Sequence, residues 1–500
     1  MNTPAMISHY PFVQVFVGLL GTVLIILLAL RRPKSERGKP RRRKTLDEFL
    51  VMKREATVRQ LGLSYSATMV SSLVFVGLPG LFYTHGVGSW LYFCLPVIFG
   101  VSTLFWFGSR ISIISRKIGA NSPFDMMNYI YESRWIGVVA FALTAIFVIP
   151  VVAMQLVAIG RLLQPANIPY EVSVLVIIVG FLAYTLFAGM RGDVRTDIYQ
   201  GYLMVGGMVF VLGFAIWLVV QGGSSISAVA EGSTAHYSLP GPRSLFAMPN
   251  TISLAIMLYS LPLMHGHYIM RAMIAEKDEY VGRSMWIAGL IIFLLYICAA
   301  GIGLLGLAIE PGLESGDLLS GKLLNRAEQP LGLGGAVIGG VILAAVIAAA
   351  LSSVDSQFLA LGASAARDVL GKAIGLELSD VAQLRVIRLV MLFIGIGAVI
   401  MALDPPPLIV QLAVFATSGT MVLVPTFAGA VLLHRPPRAG WALASIGIGF
   451  LLFSCLMFTV GVEYFWGWHP GVIAFAASLL VYGLGAVVAP MAKRSNAPVT

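Results

Sequence analysis

Residues 338–370 have the apolar density of a bilayer-crossing helix, yet they carry Ser352, Ser353, Asp355, Ser356 and Gln357 midway and end on Arg367-Asp368. A carboxylate at the centre of a lipid-facing helix costs roughly 2.5–3.5 kcal/mol or more. These side chains therefore face protein or a wet cavity, and an ion or substrate path is the first expectation. On a helix, Ala349, Ser352, Ser353 and Ser356 fall at i, i+3, i+4 and i+7, on one face. That face presents hydroxyl oxygens, which suit a hard cation such as sodium.

The motif resembles the signature helix of the sodium:solute symporter family: a small residue, Ser352-Ser353, then Asp355-Ser356, an apolar turn and a terminal Arg367-Asp368. The remainder of the chain tests the resemblance. With 58% hydrophobic and 11% charged residues it is too apolar for a soluble protein of this size and has room for about a dozen spans. The net charge of +10 does not point to nucleic acid, because the basic residues sit in short loops between apolar runs. Cys94, Cys298 and Cys455 lie singly in apolar runs and read as inert core residues.

The first run, about 11–30, is followed by a basic block from Arg31 to Lys44, which marks a retained helix with its N-terminus outside. Further helices are expected at about 56–84, 88–109, 135–162, 172–190, 197–220, 250–270, 284–309, 331–362, 386–403, 407–433, 440–462 and 470–490. Thirteen spans place the C-terminus in the cytoplasm. Of the 33 Lys and Arg, that topology puts only Arg161, Arg243, Lys322 and Arg326 outside.

Three stretches carry chemistry. The second span holds small and hydroxyl residues from Ser64 to Ser72, then Gly77-Leu78-Pro79-Gly80. It reads either as close packing through small residues or as a broken helix whose freed carbonyls line a cavity. The resemblance favours the break. In the seventh span Tyr259-Ser260-Leu261-Pro262 permits a second break, and His265 and His267, two apart, do not share a face for a metal. His267 reads as a hydrogen-bonded residue near the inner boundary, with Gly266 standing where some family members have Pro. Thr196-Asp197-Ile198-Tyr199-Gln200 resembles the family's cytoplasmic turn, although Arg191-Gly192-Asp193 departs from its apolar approach. The mid-membrane parts of the expected spans contain no Lys or Arg.

The resemblance, over about residues 45–435, implies an all-α membrane protein of about thirteen helices with a 5+5 inverted-repeat, LeuT-like transporter core. Its parts are an accessory helix (1–30), a basic cytoplasmic loop (31–55), a first five-helix repeat (56–220), an extracytoplasmic loop (221–249), a second repeat (250–433), two accessory helices (434–490) and a cytoplasmic tail (491–500). It implies a multi-pass protein of the bacterial inner membrane that is not an enzyme. The activity implied is symport of a small organic solute, such as a monocarboxylate, amino acid or vitamin, with sodium and without an organic cofactor. Alignment to the family's motifs assigns sodium to the carbonyls of Ala67, Val70 and Ala349 and the hydroxyls of Ser352 and Ser353. A carbonyl inside a continuous helix is already occupied, so Ala67 and Val70 bind an ion only if their helix is interrupted. Asp355 is expected to orient the hydroxyls, and Asp197 to assist cation release. The solute is expected beside Ser71, Ser72, Gln155, Tyr259 and Ser260. Proton coupling through Asp355, and a membrane-embedded sensor acting through a separate signalling partner, are the alternatives.

Overall fold

The computed structural model describes residues 10–30, 50–223, 225–239, 241–242, 248–459 and 467–489, without the side chains of 28–30, 186–189, 191, 226 and 228. The basic block at 31–44, Arg243 and the tail at 491–500 lie outside the described residues. The described chain is almost wholly helical, and one parallel bridge pairs Ala56 with Ala275. In order the helices are α1 (Pro11–Leu30), α2 (Val58–Met69), α3 (Gly77–His85), α4 (Leu95–Ile118), α5 (Asp125–Ile130), α6 (Arg134–Leu163), α7 (Tyr170–Gln221), α8 (Ile226–Gly232) and α9 (Thr234–Tyr237). There follow α10 (Met248–Tyr259), α11 (Leu261–Met264), α12 (Gly266–Met273), α13 (Asp278–Ile309), α14 (Leu319–Leu331), α15 (Leu333–Ser364), α16 (Asp380–Leu403), α17 (Val410–Thr420), α18 (Val424–Leu432), α19 (Ala439–Thr459) and α20 (Pro470–Val488).

Among the described residues nine helices are long and apolar enough to cross a membrane, ten if α2 and the bent segment after it form one span. The outer surface is what lipid requires: Phe12, Phe393, Leu451 and Phe458 are exposed, an apolar surface that water would not tolerate. Cys455 is exposed too, a correction to its expected place in the core; in lipid a thiol there behaves as a small apolar group.

Local chemistry sets the two breaks. A capping box starts α2, with the Thr57 hydroxyl accepting from Gln60 N and Gln60 Oε1 accepting from Thr57 N. The helix stops where Val70 turns to φ −87°, ψ 88° and Ser71 is extended. Ser71 Oγ then accepts from Leu73 N and opens a short 3₁₀ turn before α3, and the chain bends by 63° across the break. The seventh span is interrupted twice: at the expected Ser260, between α10 and α11, where the angles stay near-helical (φ −80°, ψ −8°), and at His265 (φ −107°, ψ 121°), between α11 and α12, where the backbone becomes extended. Pro262 is tolerated because it sits in the first turn of α11. Ala56 N donates to Ile274 O, and Glu276 N to Ala56 O, so the start of one broken span is clipped to the end of the other.

The helix α7 is helical over all 52 residues, where two separate spans were expected. At about 1.5 Å per residue that is more than twice the hydrocarbon thickness, so it is not one straight span. Its packing shows the reversal. Moving away from the point where Gly362 of α15 meets Ile387 of α16, α16 meets Leu182 and then Tyr170, while α15 meets Asp193 and then Gly207. Both arms of α7 lead away from the same end.

At the centre stands α15, with α1, α2, α6, α7, α14 and α16 packed around it. Close approach is through glycine: a Cβ on Gly340 would lie 2.5 Å from Val17 Cβ, and one on Gly18 2.7 Å from Leu343 Cδ2.

Candidate functional site

With α2 ended at Met69, the carbonyls of Ala67 and Thr68 lose their helical partners and turn toward α15. Ser352 Oγ donates to Ala67 O at 2.8 Å and lies 3.1 Å from Ala349 O; Ser353 Oγ donates to Thr68 O at 3.0 Å and lies 3.2 Å from Ala349 O. All of these residues are buried. The fold thus gathers five oxygens from two helices, four of them named from the sequence and the fifth, Thr68 O, missed. Val70 forms the helix end itself, its N–H on Ser66 O at 2.8 Å.

One turn along α15, the same face meets a buried ionic cluster. Arg271, on α12 and just past the expected span of 250–270, is 1% exposed. Its Nη2 lies 2.8 Å from Asp193 Oδ2, 3.0 Å from Asp197 Oδ2, 2.6 Å from Ser356 Oγ and 2.8 Å from Thr68 Oγ1. Ser64 donates to Asp197, and Ser356 to Ser352 O at 2.7 Å. Asp355 Oδ1 accepts from Ser356 N at 2.8 Å, its Oδ2 has no partner, and its carboxyl neighbours that of Asp193. Thr68 and Ser356 therefore each belong to the cluster and to the oxygen pocket's surroundings. The sequence carried part of the signal: Asp193 and Asp197, four apart, share one helix face, and its burial in the fold is what calls for a cation there.

Beside the oxygen pocket is a cavity of about 70 Å³, lined among others by Ser71, Gln155, Tyr268, Ser353, Gln357 and Thr417. That is well below the few hundred Å³ of a filled small-molecule site, so solute binding requires it to widen. Ser72 is tied behind it, its N and Oγ donating to Gln155 Oε1 at 3.1 and 2.6 Å. Tyr259 and Ser260 do not line it. Tyr259 is 42% exposed, and Ser260 Oγ donates back to Ile256 O at 2.8 Å. Their place is taken by His265 and His267, which flank the second interruption of the span. His267 Nε2 is without the hydrogen bond expected of it.

Past α3, the segment 315–331 covers the break in the first broken span. Ser320 Oγ donates to Phe75 O at 2.5 Å, Ser315 Oγ to Pro407 O at 2.9 Å, and Ile409 N to Asp317 Oδ2 at 2.8 Å. Gly80 and Gly316 are needed here, since a Cβ on either would lie within 2.8 Å of the other strand of chain. Burial pushes the Asp317 carboxyl up to about 7, against the opposing effects of the Ile409 N–H and Arg161. An aspartate whose pKa rises on folding stabilises the fold below its unfolded value of about 4 and loses that contribution as pH climbs to about 7. The thermal midpoint is therefore expected to fall between pH 4 and 7. In Asp317→Asn that slope should flatten; an unchanged slope places the titration elsewhere.

Against known proteins, the model of the sodium:solute symporter family matches residues 49–449. The chain is 27% identical over 454 residues to the sodium/pantothenate symporter of Escherichia coli (strain K12), covering 88% of this chain and 90% of that one. To the sodium/pantothenate symporter of Haemophilus influenzae it is 24% identical over 449 residues, with the same coverage. A substrate-bound, outward-open Na⁺-coupled sialic acid symporter shares the fold with a TM-score of 0.77 at 18% identity, over 97% of this chain and 99% of that one. A nucleobase-cation-symport-1 family transporter in a closed conformation superposes with a TM-score of 0.55 at 11% identity, over 88% and 95%.

Proposed function

This chain belongs to the sodium:solute symporter family, and from that premise we propose that it takes up pantothenate, or a hydroxylated organic acid of that kind, with sodium held at Ala67, Val70, Ala349, Ser352 and Ser353. Sodium-coupled uptake of a small solute is the activity of the chain, and it is a transporter rather than an enzyme. The observation that carries the ion site is the pair of hydroxyls on continuous α15 facing carbonyls released by the break in α2. Sodium replaces the hydroxyl protons as the partner of those carbonyls. Thr68 O, in the same group, is a further ligand candidate.

Orientation and path follow from this reading. The protein lies in a bacterial inner membrane with its N-terminus outside and its C-terminus in the cytoplasm, and its repeats are 56–220 and 250–433. The segment 315–331 then closes the outer side. Asp197, beyond the oxygen pocket toward the inside, receives the cation on release, and Asp355 biases the field around it. Each sodium charge moved inward releases about 2.3 kcal/mol per 100 mV; a monoanion such as pantothenate offsets that charge, so with one sodium the sodium concentration gradient alone drives uptake and each additional sodium adds the electrical contribution. Two close relatives by name and a cavity without Lys, Arg, Asp or Glu in its lining support a solute held by hydroxyls, amides and imidazoles.

Labelled pantothenate in proteoliposomes tests this directly. An inward sodium gradient should drive accumulation, and replacing sodium by potassium should abolish it. Counterflow of unlabelled against labelled solute separates transport from mere sensing. Sodium-driven uptake of other solutes with none of pantothenate would remove the solute assignment and leave the symporter.

A further inference from the structure

Three polar side chains stand between the 70 Å³ cavity and a second void of about 10 Å³ bounded by Pro123, Phe124, Thr144 and Val148. They are His265, His267 and Gln357, and they line both spaces. Each is at least 96% buried and each holds a polar atom without a partner: His265 Nδ1, His267 Nε2 and Gln357 Oε1. The imidazole rings lie 5.6 Å apart, and His267 packs 4.0 Å from the Tyr268 ring. Buried polar atoms without partners are costly, at about 1–3 kcal/mol each, and in a native protein they point to a missing partner.

We propose that His265, His267 and Gln357 form the solute-recognition corner of the cavity and that the group they take is a neutral hydroxyl or amide, not the carboxylate. The proposal rests on the reading of this cavity as the solute site. Its chemistry follows from the donor inventory. A carboxamide oxygen requires a donor, which a carboxylate lacks. A neutral imidazole offers one donor and one acceptor, and a hydroxyl or amide answers both. A solute bearing a hydroxyl or amide a few atoms from its acid group therefore meets this corner with the uncharged end. A simple monocarboxylate leaves Gln357 Oε1 unpaired. A site built to hydrogen-bond a hydroxyl discriminates strongly against the analogue that lacks it, because its own polar atoms are then stranded.

The test uses sodium-dependent thermal shift and uptake competition on matched pairs: pantothenate against N-(3,3-dimethylbutanoyl)-β-alanine, which lacks both hydroxyls, and lactate against propionate. In the wild type the hydroxylated member of at least one pair should bind tenfold or more tighter. Gln357→Leu should remove that preference by weakening the hydroxylated member and leaving its partner unchanged. Gln357→Asn and His265→Asn provide second variants, and stabilisation by sodium alone shows that each is folded. A folded variant that keeps the preference, or weakens both members equally, overturns the proposal. A wild type stabilised by no hydroxylated member does so as well. If pantothenate fails but lactate is preferred over propionate through Gln357, the corner stands and the pantothenate assignment falls.

Discussion

Replacing Arg271 with methionine should abolish sodium-driven uptake and lower the thermal midpoint severely. The guanidinium pairs with Asp193 and Asp197 and faces Asp355, and all three carboxylates are fully buried. Removing one partner from a buried charge group costs about 3–5 kcal/mol, because the other charge remains without compensation. Methionine keeps most of the length and fills the space, so the loss reads out charge rather than a cavity. Arg271→Lys keeps the charge and can place one nitrogen near Thr68, Asp193, Asp197 and Ser356, the partners of Nη2, but it gives up the Nε contact to Ser64 at 3.2 Å and the rigid planar fork. It should retain folding and lose turnover. Adding Asp193→Asn to Arg271→Met should recover part of the stability, as expected for two groups whose energies couple. If the single methionine variant is as stable and active as wild type, the ionic cluster is not what secures α12 to α7.

Ser352→Ala with Ser353→Ala should raise the sodium concentration for half-maximal uptake at least tenfold, about 1.4 kcal/mol. The two hydroxyls are the only side-chain oxygens assigned to the ion; the rest are carbonyls fixed by the backbone. They also connect α15 to the open end of α2 at 2.8 and 3.0 Å, so some loss of thermal stability without sodium accompanies the change. What distinguishes a ligand from a strut is the sodium dependence: in the double variant, sodium should no longer raise the thermal midpoint at concentrations that saturate wild type. Proton coupling is the rival. Uptake that follows pH, ignores sodium, and survives the double change but not Asp355→Asn would promote it.

The two serines illustrate what the chain declares locally. A run of apolar residues with hydroxyls on one helical face is legible because helix geometry is local and the bilayer penalises any other placement. The break after Met69 was half legible: small residues and Ser71 offer the backbone alternatives to helical bonding but suit close packing equally, and the family resemblance chose between the two. The second break was half legible. Pro262 marks a place where a helix is able to begin, and α10 does end at Tyr259 with α11 opening after Ser260. The further interruption at His265, where the backbone becomes extended, has no comparable local mark, and it is His265 and His267, rather than Tyr259 and Ser260, that line the cavity.

By itself, then, the sequence determined a multi-span helical transporter, one broken helix and the α15 hydroxyl face, since each depends on residues within a turn or two of one another and on the solvent outside. Tertiary structure alone decided that Thr68 joins the oxygen pocket, that Arg271 answers Asp193 from 78 positions away, and that Asp317 ties the covering segment to Ile409. Neutralising a buried charge requires a partner but does not name it. Which helix supplies that partner is fixed only when all of them pack.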